Sequence, residues 1–211
     1  MFTLALILAI AAAAVELFAY VLYVRDIRSG RARPSRASWL IWAPLGWLTL
    51  ASQWQAGGEL TLVKLTGMCV GITAVAVLAV RFGSGGWSPL DRSSFLITGF
   101  GVLAWIHTRD PVLALVFFIL ADIAAAMPTL CDAARHPDKD SRAAWSASLV
   151  ASALNLTVIA PDHWTADRAG FGIWGFNVYL LLLNLLVVGL MGRRRLRAAF
   201  VRTLPPARVA P

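Results

Sequence analysis

The chain has few of the residues that cross-link small folds or bind metals. Among 211 residues there are two cysteines and three histidines. Cys69 and Cys131 both fall inside long apolar stretches, and no spacing of Cys or His is typical of a disulfide framework or a metal site. No nucleophile motif is present either. The sequence therefore predicts no metal, no cofactor and no catalytic residue, and we expect that the protein is not an enzyme.

Charged residues are also scarce, at 14% of the chain, whereas 59% of the residues are hydrophobic. A soluble domain usually carries about 25% charged residues. The apolar residues form runs near the length of about 20 residues that spans a bilayer, and the runs do not alternate like barrel strands. The sequence predicts an all-α membrane protein with seven transmembrane helices, near residues 3–24, 37–55, 60–81, 93–107, 111–131, 143–160 and 170–191.

The basic residues predict the orientation of these helices. All of the 19 Lys and Arg except Lys64, Arg109 and Arg168 fall in the loops or tail at one predicted side. The positive-inside rule then places the N-terminus outside and the C-terminus in the cytoplasm. No basic residue precedes Arg25, so we expect the first run to be a span and not a cleaved signal peptide. We interpret the charge as a topology signal and a contact with anionic lipids, and we expect no nucleic-acid partner.

Two similar phrases, PSRASW at residues 34–39 and DSRAAW at residues 140–145, indicate an internal repeat. Residues 16–39 align without a gap on residues 122–145, which carries the first three runs onto the last three. Because three runs separate the first from the fifth, those two cross in the same direction. The sequence predicts two parallel three-helix repeats joined by a linker helix (3+1+3): residues 1–82, linker 83–110, residues 111–192, and a basic cytoplasmic tail 193–211.

The repeated phrase also predicts local structure at the start of the second and sixth helices. Ser35 and Ser141 are expected N-caps. Trp39 and Trp145 are expected to lie at the membrane interface, where indole rings are enriched.

The segment MPTLCDAARHPDKDSRAAW (residues 127–145) resembles the Pro-Gln motif of the SWEET and PQ-loop superfamily of membrane proteins. Pro128 matches that motif, and Thr129 stands where the family has Gln. The resemblance implies alternating access around a central cavity, with Pro128 as a hinge. A proline inside a helix removes a backbone hydrogen bond and bends the helix, so Pro44 is a second hinge candidate, and a static kink is the alternative for both.

Two acidic residues in the apolar runs are the clearest functional signal. The repeat aligns Glu16 with Asp122, and a rise of about 1.5 Å per residue puts both roughly 18–20 Å from the outer ends of their helices. A carboxylate at such a depth costs about 2.5–3.5 kcal/mol on insertion scales. We expect the pair to couple transport to protons or cations; a neutral structural pair is the alternative. Lys64, the basic residue within a run, either extends its amine to the outer surface or contacts an anionic solute.

Polar and aromatic residues in the other runs are candidates for solute binding. Asn155, Asn177 and Trp174 are predicted at a similar depth, and the resemblance implies a solute site built from an Asn and a Trp of these helices. Structural bonding between helices is the alternative for the amides. Together with Trp47 and Thr49 they complete the predicted substrate-binding set.

These features favour a transporter of a small polar solute that works by alternating access. A membrane receptor or interaction protein on the same scaffold is the alternative. A retinal protein is excluded, because residues 170–191 contain no lysine for a Schiff base. Arginine outnumbers lysine 17 to 2, a bias typical of bacteria with GC-rich genomes, so we expect the bacterial inner membrane. The sequence leaves open whether the chain is a monomer or a homo-oligomer.

Overall fold

A computed structural model describes the chain over residues 2–85 and 89–203, and this part is helical. Residues 204–211 of the predicted basic tail and residues 86–88 of the predicted linker lie outside the described residues. Two 3-10 turns, Pro137–Lys139 and Pro161–His163, flank the sixth helix. The α-helices are α1 (Phe2–Arg28), α2 (Arg36–Gln55), α3 (Thr61–Phe82), α4 (Pro89–Thr108), α5 (Pro111–Arg135), α6 (Arg142–Leu156) and α7 (Arg168–Thr203).

Local side chains set the starts of three helices, and two of these caps are the ones that the sequence predicts. The Ser35 hydroxyl accepts from the backbone N–H of Ser38, and the Ser141 hydroxyl accepts from that of Ala144. Both serines are therefore N-caps, each satisfying an N–H that has no partner inside its helix. Asp110 caps α5, and Pro111 follows at the first helical position, where its missing N–H costs nothing.

Four helices are long and apolar enough to cross a membrane: Thr3–Arg28, Thr61–Phe82, Pro111–Arg135 and Arg168–Arg193. Their polar and apolar residues are distributed as in a protein surrounded by lipid. Large apolar side chains such as Phe18, Val77 and Leu182 are more than half exposed. The polar side chains of Glu16 and Asp122, by contrast, are buried in the bundle. The exposed apolar surface, together with the four long helices, indicates an integral membrane protein.

The helices pack in two groups of three with the same internal order. In the first group α3 contacts both α1 and α2, and in the second α7 contacts both α5 and α6. Between the groups, α1 packs on α6 and α2 packs on α5, while α4 packs mainly on α5. Apart from α4, this pattern of main contacts is unchanged when α1, α2 and α3 are exchanged for α5, α6 and α7.

The loops that follow α1 and α5 meet at one end of the bundle. The backbone N–H of Arg33 donates to the carbonyl oxygen of Lys139 at 3.0 Å. Beside it, the Ser141 hydroxyl donates to Asp26 Oδ2 at 2.6 Å, and Asp26 is also paired with Arg31 at 2.7 Å. The last turns of α1 and α5 and the first turn of α6 thus lie together.

The repeated tryptophans are buried inside the bundle, so they do not face lipid headgroups as the sequence predicts. Trp39 is 4% exposed and Trp145 is 9% exposed, and both contact Trp42 inside the bundle. They are buried because α1 and α6 pack directly against each other and the starts of α2 and α6 meet across that contact. The repeated phrase therefore forms a contact between the two groups of helices.

Candidate functional site

A cavity of about 60 Å³ lies between the two groups of helices. Its described lining residues come from all the helices except α4, and most of them are apolar or aromatic. A buried water needs roughly 10–15 Å³ by this measure, so the cavity has room for a compact solute and not for a peptide. Glu16 and Asp122, which the repeat aligns, both line it.

Glu16 forms an ion pair with Lys64. The Nζ atom of Lys64 on α3 lies 3.6 Å from Glu16 Oε2 on α1, and both side chains are almost completely buried. Lys64 therefore does not extend to the surface; its chain runs into the bundle and its amine reaches the carboxylate. Each charge offsets the other, which is the usual condition for keeping charged groups in a protein interior.

Hydrogen bonds extend this ion pair across the two groups of helices. Ser148 donates to Glu16 Oε1 at 3.4 Å, and the Lys64 amine donates to the Ser152 hydroxyl at 3.4 Å. Asn184 on α7 donates to the same hydroxyl at 3.2 Å. The network links α1, α3, α6 and α7, and its members Ser148 and Asn184 line the cavity.

Asp122 has a different partner from its counterpart in the repeat. The hydroxyl of Tyr179 on α7 donates a hydrogen bond to Asp122 Oδ2. Among the described residues, no Lys, Arg or His lies within ion-pair distance of this carboxylate. Asp122 is 7% exposed. The cavity therefore contains one acid matched by a cation and one matched only by a neutral donor.

Aromatic rings from three helices form a continuous wall of the cavity. Tyr23 on α1 packs on Trp39, with ring centroids 5.0 Å apart, and Trp39 meets Trp42 edge to face at 5.2 Å. Trp42 in turn meets Trp145 on α6 at 6.4 Å, and Tyr20 meets Trp39 at the same distance. All five residues line the cavity.

The aromatic wall reaches the end of the bundle where the loops meet. Asp140, just before the Ser141 cap, faces the Tyr23 hydroxyl and the indole N–H of Trp145. Burial raises the pKa of Asp140, although the Tyr23 hydroxyl and the backbone N–H of Ser141 partly offset this.

The predicted amides come together, but outside the cavity lining. Asn155 Nδ2 donates to Asn177 Oδ1 at 2.8 Å, and Asn177 Nδ2 donates to Gln53 Oε1 at 3.2 Å. Gln53 also donates to the carbonyl oxygen of Gly172. This group of amides joins the ends of α2 and α6 to the start of α7, and it lies at the opposite end of α6 from Ser141.

The other predicted binding residues are spread apart. Thr49 is completely buried and lines the cavity. Trp47 is 45% exposed and donates from Nε1 to Thr73. Trp174 stacks on Trp164 and donates to the carbonyl oxygen of Thr165. Of the five predicted residues, the structure places only Thr49 against the cavity.

Both hinge candidates lie inside helices that pack on each other. Pro44 is in α2 and Pro128 is in α5. Each leaves a carbonyl one turn earlier without its helical donor. Thr129, beside Pro128, is buried and its hydroxyl has no partner within the described residues.

Sequence reasoning did not identify Tyr179 or Gln53, and it singled out Lys64 without predicting that Lys64 pairs with Glu16. For Lys64 a signal existed, because a basic residue within an apolar run is as often paired with a nearby acid as extended to the membrane surface.

Comparison of the chain with family models, with curated proteins and with solved structures gives no match.

Proposed function

We propose that the chain is a membrane carrier of a small polar solute, built from two parallel three-helix units with α4 as the linker. In this proposal all seven α-helices cross the membrane, including α2, α4 and α6. The packing pattern supports it, because exchanging the two units leaves their main contacts unchanged. The contact between Arg33 and Lys139 supports it as well. This contact between the loops that follow α1 and α5 requires the two helices to end at the same side of the bundle.

The orientation follows from the charges at that side. The end where the two loops meet carries Arg25, Arg28, Arg31, Arg135 and Lys139. The positive-inside rule makes this the cytoplasmic end. We therefore propose an inner-membrane protein of a bacterium, with the N-terminus outside and α7 ending in the cytoplasm.

The cavity between the units is the observation that carries the proposed function. It lies between two sets of polar contacts at opposite ends of α6: Ser141 with Asp26 at one end, and Asn155 with Asn177 at the other. Alternating access requires that either set of contacts can break while the other set stays formed. Pro44 and Pro128 are the proposed bending points, because each interrupts the backbone bonding of its helix.

The residues take distinct roles in this mechanism. Thr49 and the aromatic wall contact the solute. Asn155 and Asn177, with Gln53, hold the outer end closed. Asp122 is the proposed coupling group, since no cationic side chain of the described residues pairs with it, whereas Glu16 is paired with Lys64.

Thermal shift of the purified full chain tests the site first. The protein in detergent is melted with sugars, amines, amino acids and vitamins at two pH values, and any stabilising compound is then offered, radiolabelled, to proteoliposomes. We expect the compound to accumulate in proteoliposomes more than in liposomes without protein. This accumulation should be lost in Asp122→Asn and retained in the matched control Asp162→Asn, because Asp162 lies in an exposed turn. A compound that stabilises the protein but never accumulates would exclude a carrier and favour the receptor alternative.

A further inference from the structure

When Asp122 is ionised, the charges of the described residues around the cavity do not cancel. Glu16 and Lys64 neutralise each other at 3.6 Å, and Asp122 receives only the neutral hydroxyl of Tyr179. An ionised carboxylate that is 7% exposed and has no cationic partner is costly. The ionised form of the cavity therefore has a place for one positive charge.

The aromatic wall provides the rest of a cation site. Five rings, those of Tyr20, Tyr23, Trp39, Trp42 and Trp145, line the same cavity as Asp122. The face of an aromatic ring attracts a cation, with a gain of about 2 kcal/mol or more where water is excluded. This attraction suits an organic ammonium ion, whose methyl or methylene groups also fit an apolar lining. A metal cation would instead need several oxygen ligands, and among the described residues no cluster of three metal-ligating side chains is found.

A buried hydroxyl on α2 indicates a further group on the ligand. Thr49 Oγ1 is buried and has no hydrogen-bond partner among the described residues. Thr49 lines the cavity about two helical turns, roughly 10 Å, along α2 from Trp42 of the aromatic wall. Because buried polar groups are nearly always hydrogen-bonded, an oxygen on the ligand is the expected partner.

We propose that the cavity binds a compact monovalent organic ammonium ion that carries a hydroxyl group. The ammonium lies between Asp122 and the aromatic wall, and the hydroxyl pairs with Thr49 on α2. The proposal names the solute class of the carrier proposed above and rests on that function for its role in transport. A cavity of about 60 Å³ restricts the ligand to a small molecule.

The ammonium ion and a proton compete for the Asp122 carboxylate, because either one alone makes the cavity neutral. Protonated Asp122 leaves the cavity neutral; when the ammonium binds, the carboxyl releases its proton and the cavity is neutral again. One cation therefore displaces one proton, and binding strengthens as the pH rises. The titratable groups that face Asp122 are Tyr179 of α7 and Tyr20 of α1. Of the other helices that pack on α5, α2 carries no charged residue after Arg36, and α4 carries none between residues 96 and 106.

Three probes separate the charge from the shape of the ligand. Choline is a hydroxylated ammonium ion, tetramethylammonium lacks the hydroxyl, and 3,3-dimethyl-1-butanol is the neutral isostere of choline. Each is titrated into the purified full chain in detergent at pH 5.5 and pH 8, with tryptophan fluorescence as the readout. We expect choline to bind at least ten-fold more tightly than the neutral isostere at pH 8, and more weakly at pH 5.5.

Variants then assign the two ends of the ligand. Asp122→Asn should abolish choline binding while Asp162→Asn retains it, and Asp122→Glu should keep a measurable part of it. Thr49→Val should weaken choline towards the affinity of tetramethylammonium and leave the latter unchanged. Circular dichroism and melting temperature verify that each variant is folded. Equal binding of choline and its isostere, or unchanged choline binding by folded Asp122→Asn, would overturn the proposal.

Proteoliposomes distinguish this proposal from the carrier function. Choline binding without counterflow of labelled choline would exclude the carrier and leave the ammonium site standing. Accumulation of a neutral sugar, with no choline binding at either pH, would support a carrier and refute the ammonium site. Exchange of one choline for one proton, measured with an internal pH dye, would support both.

Discussion

Replacing Lys64 by methionine removes the cation of the buried ion pair while keeping a side chain of similar length. The amine lies 3.6 Å from Glu16 Oε2, a separation at which two unit charges attract by about 5 kcal/mol in an effective dielectric of about 20. Removing one partner leaves the other charge buried and unpaired, which costs about 3–5 kcal/mol in comparable pairs. We therefore expect Lys64→Met to lower the melting temperature of the detergent-solubilised protein by about 6–20 °C.

The double variant makes this prediction specific to the pair. Glu16→Gln together with Lys64→Met removes both charges, and neutral replacement of a buried pair is often tolerated. We expect the double variant to melt at a higher temperature than Lys64→Met alone. The chain offers matched controls in its other lysine and its other glutamate: Lys139→Met and Glu59→Gln change exposed residues and should leave the melting temperature unchanged.

Tryptophan fluorescence during heating measures all of these variants. The reasoning is refuted if Lys64→Met melts at the wild-type temperature, or if the effects of the two single variants simply add in the double variant. Either result would mean that Lys64 and Glu16 do not interact in the folded protein, and Glu16 would then share the coupling role proposed for Asp122.

Two further predictions concern the ends of helices. Ser141→Ala should destabilise the protein by more than the roughly 1 kcal/mol typical of a lost N-cap, because its hydroxyl also donates to the Asp26 carboxylate. Ser35→Ala should cost less in the same melting assay, because the second partner of the Ser35 hydroxyl is the neutral Ser38 hydroxyl. At the start of α5, the backbone N–H of Leu113, followed by the nearby Arg168, holds the pKa of Asp110 below its usual value. A lowered pKa stabilises the fold above the unfolded value of about 3.9 and loses that contribution as the pH falls. Melting curves between pH 3 and pH 6 should therefore show less acid sensitivity in Asp110→Asn than in wild type, and equal sensitivity in both would contradict this.

The sequence predicts the features that depend on neighbouring residues along the chain. Ser35 and Ser141 cap their helices because a hydroxyl at that position reaches an N–H three residues later. The helical starts and most of the apolar runs follow from the same local chemistry. The predicted sixth run, residues 143–160, is longer than α6, which ends at Leu156. The chain does not continue the α-helix beyond this point, and a 3-10 turn at Pro161–His163 follows.

The partners of buried polar residues could not be predicted in the same way. Counting residues gives the depth of a side chain along its helix, so Asn155 and Asn177 are expected at one level; in the structure they are hydrogen-bonded to each other at 2.8 Å. It does not give the rotation of the helix about its axis, which decides whether a side chain meets lipid, another helix or the cavity. Trp47 and Thr49 illustrate this, because they are two positions apart on α2 and lie in different surroundings.

The two acids that the repeat aligns have similar places in the fold but chemically different partners. In each group of helices the acid is on the first helix and its partner is on the third: Glu16 with Lys64, and Asp122 with Tyr179. The helix that supplies the partner thus follows the repeat, but the place of the partner along that helix and its charge do not. In the proposed mechanism, the cation beside Glu16 and the neutral hydroxyl beside Asp122 make Asp122 the carboxylate that exchanges its proton for a positively charged solute. A duplicated scaffold would in this way hold a single coupling group, because only one of the two aligned acids is paired with a cation among the described residues.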